Sequence, residues 1–219
     1  LFAKAGVSSV ALAVESGSDY VLKNIIKKPL KKRLIKPVVE NLRRHGIMSH
    51  VFIVIGLPGE MKEHRDETLK MLIDTGFDWA HVFLAIPIYG SRLYDICAEN
   101  GYIEDASAAD YITTKSLIRA PGVVTEQIQE VTYEMNLTVN FLNNFNVKIG
   151  NYQTAEYYFR NVCDKYPDHM FGQLYLSLVL KPQKKDEWKE RLNIARDLYA
   201  ADAFWQDKVT KYNIGHLLG

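Results

Sequence analysis

The sequence predicts an α/β unit built on parallel strands, followed by an all-α region. Short apolar runs at residues 10–14, 51–55 and 82–86 are each followed by a segment with helical spacing. Segments of that length between strands imply right-handed β-α-β crossovers and therefore a parallel sheet. After about Pro121 the strand signal stops, and apolar residues recur every three to four positions.

Taken in order, residues 1–5 read as a helix end with Gly6 as its C′ residue. The strand at 10–14 runs into Glu15-Ser16-Gly17-Ser18. Leu34, Ile35, Val38, Val39 and Leu42 mark a helix that Gly46 closes, with Pro37 at its start or at a kink. The strand at 51–55 leads into Gly56-Leu57-Pro58-Gly59-Glu60. Leu69, Leu72 and Ile73 mark the next helix, closed by Gly76. The strand at 82–86 precedes Pro87-Ile88-Tyr89-Gly90 and a helix over about residues 91–100. Near-continuous apolar strands predict a sheet that is covered on both faces or rolled into a barrel. Three strands also leave open edges, to be covered by the tail or paired with a second copy.

In the second region Thr125 is the expected N-cap, with Ile128, Val131, Met135, Val139, Leu142 and Phe145 on one helical face. The run from Gly150 to Ala155, with Phe159, Val162 and Pro167, resembles part of a tetratricopeptide repeat. There Gly and Ala would let helices approach, aromatics would fill the gap, and Pro would end the unit. Residues 169–180 and 185–204 form a further expected helical pair, and a partner protein is the occupant such helices suggest. The expected division is 1–120 for the α/β unit and 121–219 for the helical tail.

Composition narrows the function classes. The chain has 219 residues, 47% hydrophobic and 24% charged, with a formal net charge of +1. The one cationic cluster, Lys27 to Arg33, is short and lacks interleaved aromatics, which favours a solvated helix start over a nucleic-acid patch. No apolar run reaches the ~20 residues that span a bilayer. Cys97 and Cys163 form no CxxC pair, which argues against a disulfide framework and a zinc knuckle, and the expected setting is cytoplasmic. Because the chain starts at Leu1 rather than Met, it is expected to be a piece of a longer protein.

In parallel α/β folds ligands bind at the carboxyl ends of strands, and all three ends here carry unusual residues. Glycine lets backbone approach a flat ligand such as a nucleoside, Glu15 can accept from ribose hydroxyls, and Ser16 can donate or accept. The residues Ala13-Val14-Glu15-Ser16-Gly17-Ser18, Val21-Leu22 with Ile26-Lys27-Lys28, Ile55 to Glu60, and Pro87 to Tyr94 together resemble the carboxyl-terminal half of a radical S-adenosylmethionine (radical SAM) enzyme core. The group most similar often carries an upstream cobalamin-binding domain, and the helical tail around Asn140 to Asn146 is similar to tails in that group.

The resemblance implies the last three strands of a six-stranded, partial (β/α) TIM-like barrel, with the missing amino-terminal half as its structural partner. It implies S-adenosylmethionine and a 4Fe-4S cluster as cofactors, with cobalamin in an upstream domain as a further expectation. Glu15 matches a position that contacts the nucleoside ribose, with Ser16 beside it as a further expected cofactor-binding residue, and Lys27 matches a basic position that can pair with the methionine carboxylate. Gly56, Ile53 on the strand before it, and backbone at Ile86 match positions near the adenine. Phe52 stands where some relatives have an acidic ribose contact. The cluster motif CxxxCxxC is absent from the sequence, so this chain alone is expected to be unable to generate the deoxyadenosyl radical. Methyl transfer, ring chemistry and methylthiolation all use such a scaffold.

Two other readings follow from the residues: a non-catalytic module in which the tail docks a partner, and a cluster-independent enzyme using Glu15 and Glu60 as an acid/base pair. The histidines show no HxH or HExxH spacing, and the Gly56–Glu60 turn lacks the Lys-Ser/Thr of a phosphate loop.

Overall fold

In the computed structural model, which describes residues 1–103 and 116–219, the chain forms two compact units, Leu1–Asn140 and Phe141–Gly219. The first is a three-stranded parallel sheet in the order β1-β2-β3, with β1 Ser9–Glu15, β2 Met48–Ile55 and β3 Trp79–Leu84. Helices α1 Ile35–Arg44 and α2 Lys62–Thr75 make the two crossovers, and α3 Arg92–Glu99 and α4 Thr125–Leu137 follow β3.

The strand β3 begins three residues earlier than the apolar run suggests and ends at Leu84. Trp79 and His81 look like loop residues in sequence, yet pairing with His50 and Phe52 of β2 draws them into the ladder. The start of that ladder is fixed by the buried Asp78, whose carboxylate accepts from the Ser49 amide at 2.7 Å and its hydroxyl at 2.8 Å. Pro37 falls in the first turn of α1, where no intrahelical N–H is needed, so α1 is not kinked there. The helix α4 begins at Thr125, with extended Val124 in the N-cap position, so the cap expected at Thr125 lies one residue earlier and on a side chain that cannot accept.

Burial alternates along β2, with Val51, Ile53 and Ile55 wholly buried and Phe52 exposed. The buried face packs with Val39 of α1, Leu72 of α2 and Ile128 of α4 in one core. The opposite face carries His50, Phe52, His81 and Phe83, with Phe52 36% and Phe83 49% exposed. Among the described residues of this unit the helices pack on the buried face of the sheet and leave this face partly exposed.

The two sheet edges differ. On β3, Asn140 accepts from the Ala80 amide at 2.9 Å and donates to the Ala80 carbonyl at 2.8 Å, as a neighbouring strand would. Asn136 of α4 donates to the Val82 carbonyl at 3.3 Å. Among the described residues no strand pairs with the outer edge of β1.

The second unit is helical: the short α5 Phe145–Lys148, then α6 Tyr152–Lys165, α7 Met170–Leu180, α8 Trp188–Ala201 and α9 Ala203–Lys211. Its core joins Phe141, Phe159, Phe171 and Tyr175. The close approach of α6 and α7 occurs at Gly172, where a Cβ would lie 3.1 Å from Val162 and 3.3 Å from Cys163. Gly150, where the sequence suggested close approach, instead makes a left-handed turn with open space around it. The side chain of Asp202 caps α9, so the helix expected to run to 204 stops at Ala201.

Candidate functional site: the carboxyl ends of the strands

The first strand ends in a bulge. Its partners step from Ala13↔Phe52 to Glu15↔Ile53, and Glu15 itself takes a left-handed φ of 68°. A non-glycine residue there is strained, and such strain gathers at functional sites. The Glu15 carboxylate accepts from Lys28 Nζ at 3.2 Å, and the same ammonium donates to the Ala13 carbonyl. The lysine arrives there because a π-helical turn, Val21–Ile26, ends in left-handed Lys27 with φ 58°. That reversal leaves Lys27 exposed, so the cation beside the strand end is its neighbour. Lys32 adds a second, donating to the Gly17 carbonyl at 2.7 Å and pairing with Asp19 at 3.0 Å.

Ser16 is fully buried and its hydroxyl is committed within the fold. The Thr68 hydroxyl donates to the His64 carbonyl at 2.9 Å, so it accepts from both the Gly17 amide (2.9 Å) and the Ser16 hydroxyl (3.2 Å). Ser16 in turn accepts from the Ser18 amide at 3.1 Å. Gly17 is obligatory in this contact, since a Cβ would sit 2.6 Å from the Thr68 backbone. The loop after β1 is therefore clamped to α2.

At the second strand end Gly56 has φ 84°, and its missing Cβ would lie 3.1 Å from Ile128 of α4. Its amide donates to Glu60 Oε2 at 2.6 Å. Glu60 is wholly buried, its Oε1 has no hydrogen-bond partner among the described residues, and burial raises its pKa to about 7 against the Gly56 and Leu57 amides and Arg65. Glu60 thus braces its own turn and reaches no solvent. Glu15 is instead paired with Lys28. Ile53 lies wholly buried opposite Glu15, and Ile86 lies just beyond β3 in a turn where its carbonyl accepts from the Ile88 amide at 3.0 Å.

Sequence spacing gave no hint of the histidine pair on the open face. His50 and His81 sit on adjacent strands with Nδ1 of the first 3.3 Å from Nε2 of the second. Burial lowers both pKa values; Asp78 opposes this at His50, while His50 adds to it at His81. Only the register of β2 against β3 brings residues so far apart in sequence together.

The chain's own residues do not fit an iron–sulfur cluster. Cys97 and Cys163 are both buried in different units, and burial raises both thiols, Cys163 to about 11. Among the described residues no three His, Cys, Asp or Glu side chains gather as a metal site, and no helix is long and apolar enough to cross a membrane.

Residues 1–72 match the Radical SAM superfamily. That stretch holds β1, β2, Glu15, Lys28 and the Gly56–Glu60 turn. The chain is also 32% identical over 148 residues to cytidylyl-2-hydroxyethylphosphonate methyltransferase of Streptomyces wedmorensis, covering 64% of this chain and 28% of that protein. It is 28% identical over 135 residues to tRNA-2-methylthio-N(6)-dimethylallyladenosine synthase of Yersinia enterocolitica, covering 61% and 27%. An uncharacterized methyltransferase of Pyrococcus horikoshii is 25% identical over 126 residues, covering 58% and 27%. The chain therefore spans just over a quarter of the length of these relatives. The family match covers the first third of the chain, and these relatives align with about three fifths of it.

Proposed function

We propose that this chain is the carboxyl-terminal half of a radical SAM barrel, supplying one wall of the S-adenosylmethionine site and leaving the cluster to a missing amino-terminal half. One observation carries the reading: strained Glu15, paired with Lys28, stands at the carboxyl end of β1, the sheet edge with which no described strand pairs, while Asn140 seals the edge at β3. The open edge of β1 is where further strands would continue the barrel, with a second copy of the chain as the other occupant. The side chain of Glu15, 25% exposed, keeps acceptor capacity for ribose hydroxyls. Lys28 takes the cationic place expected of Lys27, while Ser16 and Glu60 hold the two loops. The adenine would lie past Gly56 and Ile53, on the side not taken by Ile128.

A cluster held by the missing half would supply the reducing chemistry, and this chain's residues would bind and orient the cofactor. A cobalamin domain upstream, a tetratricopeptide-like docking role for the tail, and a reducing cytoplasmic setting that suits two free thiols belong to the same reading. The open hollow of about 320 Å³ lined by Gln153, Glu156, Tyr157, Arg160 and Lys185 offers a polar, aromatic surface to a partner. The test is reconstitution with iron and sulfide. A longer protein containing this chain is expected to turn brown and to cleave S-adenosylmethionine under reduction, and the isolated chain to do neither. A longer protein with no upstream CxxxCxxC contradicts the proposal.

A further inference from the structure

Between Tyr20 and Val39 the chain carries seven cations and no Asp or Glu. Two of them are spent on the fold. Lys28 donates to the Ala13 carbonyl and pairs with Glu15, and Lys32 donates to the Gly17 carbonyl and pairs with Asp19. These contacts tie the segment to the carboxyl end of β1. The other five, Lys23, Lys27, Lys31, Arg33 and Lys36, are exposed, and no acceptor among the described residues meets them. Charge on α2 is balanced on the spot instead, Lys62 pairing with Asp66 at 2.5 Å and Lys70 with Asp74 at 2.6 Å. The sequence places no aromatic inside the cationic run, but the fold supplies one at its start. Tyr20 stacks on His64 of α2, with centroids 4.6 Å and planes 10° apart, yet stays 51% exposed. His64 is held in place because its Nδ1 accepts from the Met61 amide at 3.0 Å. One face of Tyr20 is thus backed by imidazole, and its exposed remainder can receive another flat ring. Glu63 and Glu67 flank His64 in α2 and are exposed, so an anion is repelled from that side and led toward Lys23 and Lys27.

We propose that Tyr20 and the exposed cations from Lys23 to Lys36 bind a single-stranded nucleic acid, with a base stacked on Tyr20 and its phosphates along the cationic run. Charge and shape together select this occupant. The five cations follow one another along the chain, which suits a row of phosphates better than one compact anion. An acidic peptide would use the charges and leave the aromatic platform idle. A duplex keeps the faces of its bases stacked inside, whereas an unpaired strand can lay one on an exposed ring. Lys28 and Lys32 fix the run beside Glu15, so a bound strand passes next to the candidate site. Binding itself needs only this surface and stands apart from the radical reading.

The test is fluorescence anisotropy of this chain with a labelled single-stranded oligonucleotide of mixed sequence, about ten nucleotides long. The same strand paired with its complement, polyglutamate, and vesicles containing phosphatidylserine are the competitors. The single strand is expected to bind more tightly than all three, with an affinity that falls as salt rises. Replacing Lys27 and Lys31 together by Gln is expected to lower the slope of log affinity against log salt by about 1.4, at ~0.7 per phosphate contact. Tyr20→Ala is expected to weaken binding about tenfold, and Tyr20→Phe, which keeps the ring, to stay within about twofold of wild type. All of these side chains are exposed, so the fold does not depend on them. No binding of the single strand at about 0.15 M salt overturns the proposal. So does equal or tighter binding of the duplex, of polyglutamate or of the vesicles, and so does an affinity unchanged by Tyr20→Ala.

Discussion

The two units bury a carboxylate in opposite ways. In the sheet unit Glu60 has one short amide partner at 2.6 Å, an Oε1 with no partner among the described residues, and a pKa pushed up to about 7. In the helical unit Glu156 is met by Lys185 at 2.6 Å, Arg160 at 2.9 Å and Gln183 at 2.8 Å, and its pKa is lowered. Arg160 then passes to Glu187, held down to about 2, which also pairs with Arg191. A carboxylate surrounded by donors is held as an ion; one with a single amide partner and a spare buried oxygen is pushed toward its neutral form. The same contrast holds at Ser18 in the loop after β1, whose buried hydroxyl also lacks a partner among the described residues.

Acid should separate the units most clearly. Glu60 has a folded pKa near 7, above its ordinary 4.5, so its charged form is disfavoured in the fold. The sheet unit therefore gains stability as pH falls from 7 toward 4.5. His169 goes the other way: packed between Phe141 and Trp205, it is lowered from 6.5 to about 4 by burial. The stability tied to neutral His169 is complete above pH 6.5 and is lost as pH falls through 4. Between pH 7 and 5 the two contributions should move by about 2 kcal/mol in opposite directions. Denaturation followed separately by Trp79 and Trp205 fluorescence checks this, and Glu60→Gln should flatten the response of the sheet unit alone.

The next effect tests the network. Glu156→Ala leaves Lys185 and Arg160 facing each other, and should destabilise the helical unit by about 2 kcal/mol; the partial exposure of both cations keeps this below the value for fully buried pairs. Urea midpoints read it, with no change expected in the sheet transition. Asn140→Ala should remove about 1–2 kcal/mol from the sheet unit, because both polar groups of Ala80 lose their partner. Amide exchange at Ala80 should accelerate. Smallest is Glu15→Gly, which relieves the left-handed strain but loses the Lys28 pair, for a net gain below about 1 kcal/mol in thermal stability. A stabilised protein that no longer binds the cofactor would mark Glu15 as a residue kept for function.

Much of the scaffold could be read from sequence because each part has a local cause. Apolar runs at 51–55 and glycines at 46 and 76 mark a strand and helix ends whatever lies around them. What escaped depends on tertiary geometry. The left-handed turn at Lys27 moves the ion pair to Lys28, and a hydroxyl chain through Thr68 absorbs Ser16. Strand register joins His50 to His81, and Asn140 seals an edge from 60 residues away. Packing of α4 against β3 also carries the compact sheet unit on to Asn140, beyond the change of rhythm near Pro121.

The central claim is that the end of β1 contributes to an S-adenosylmethionine site through Glu15. Isothermal titration of the cofactor into the reconstituted longer protein tests it directly. Glu15→Gln is expected to weaken binding about tenfold, as expected for losing a hydrogen bond to a charged acceptor. Glu60→Gln, which keeps the contact to the Gly56 amide, is expected to stay within about threefold of wild type. Equal affinity for wild type and Glu15→Gln would contradict the account.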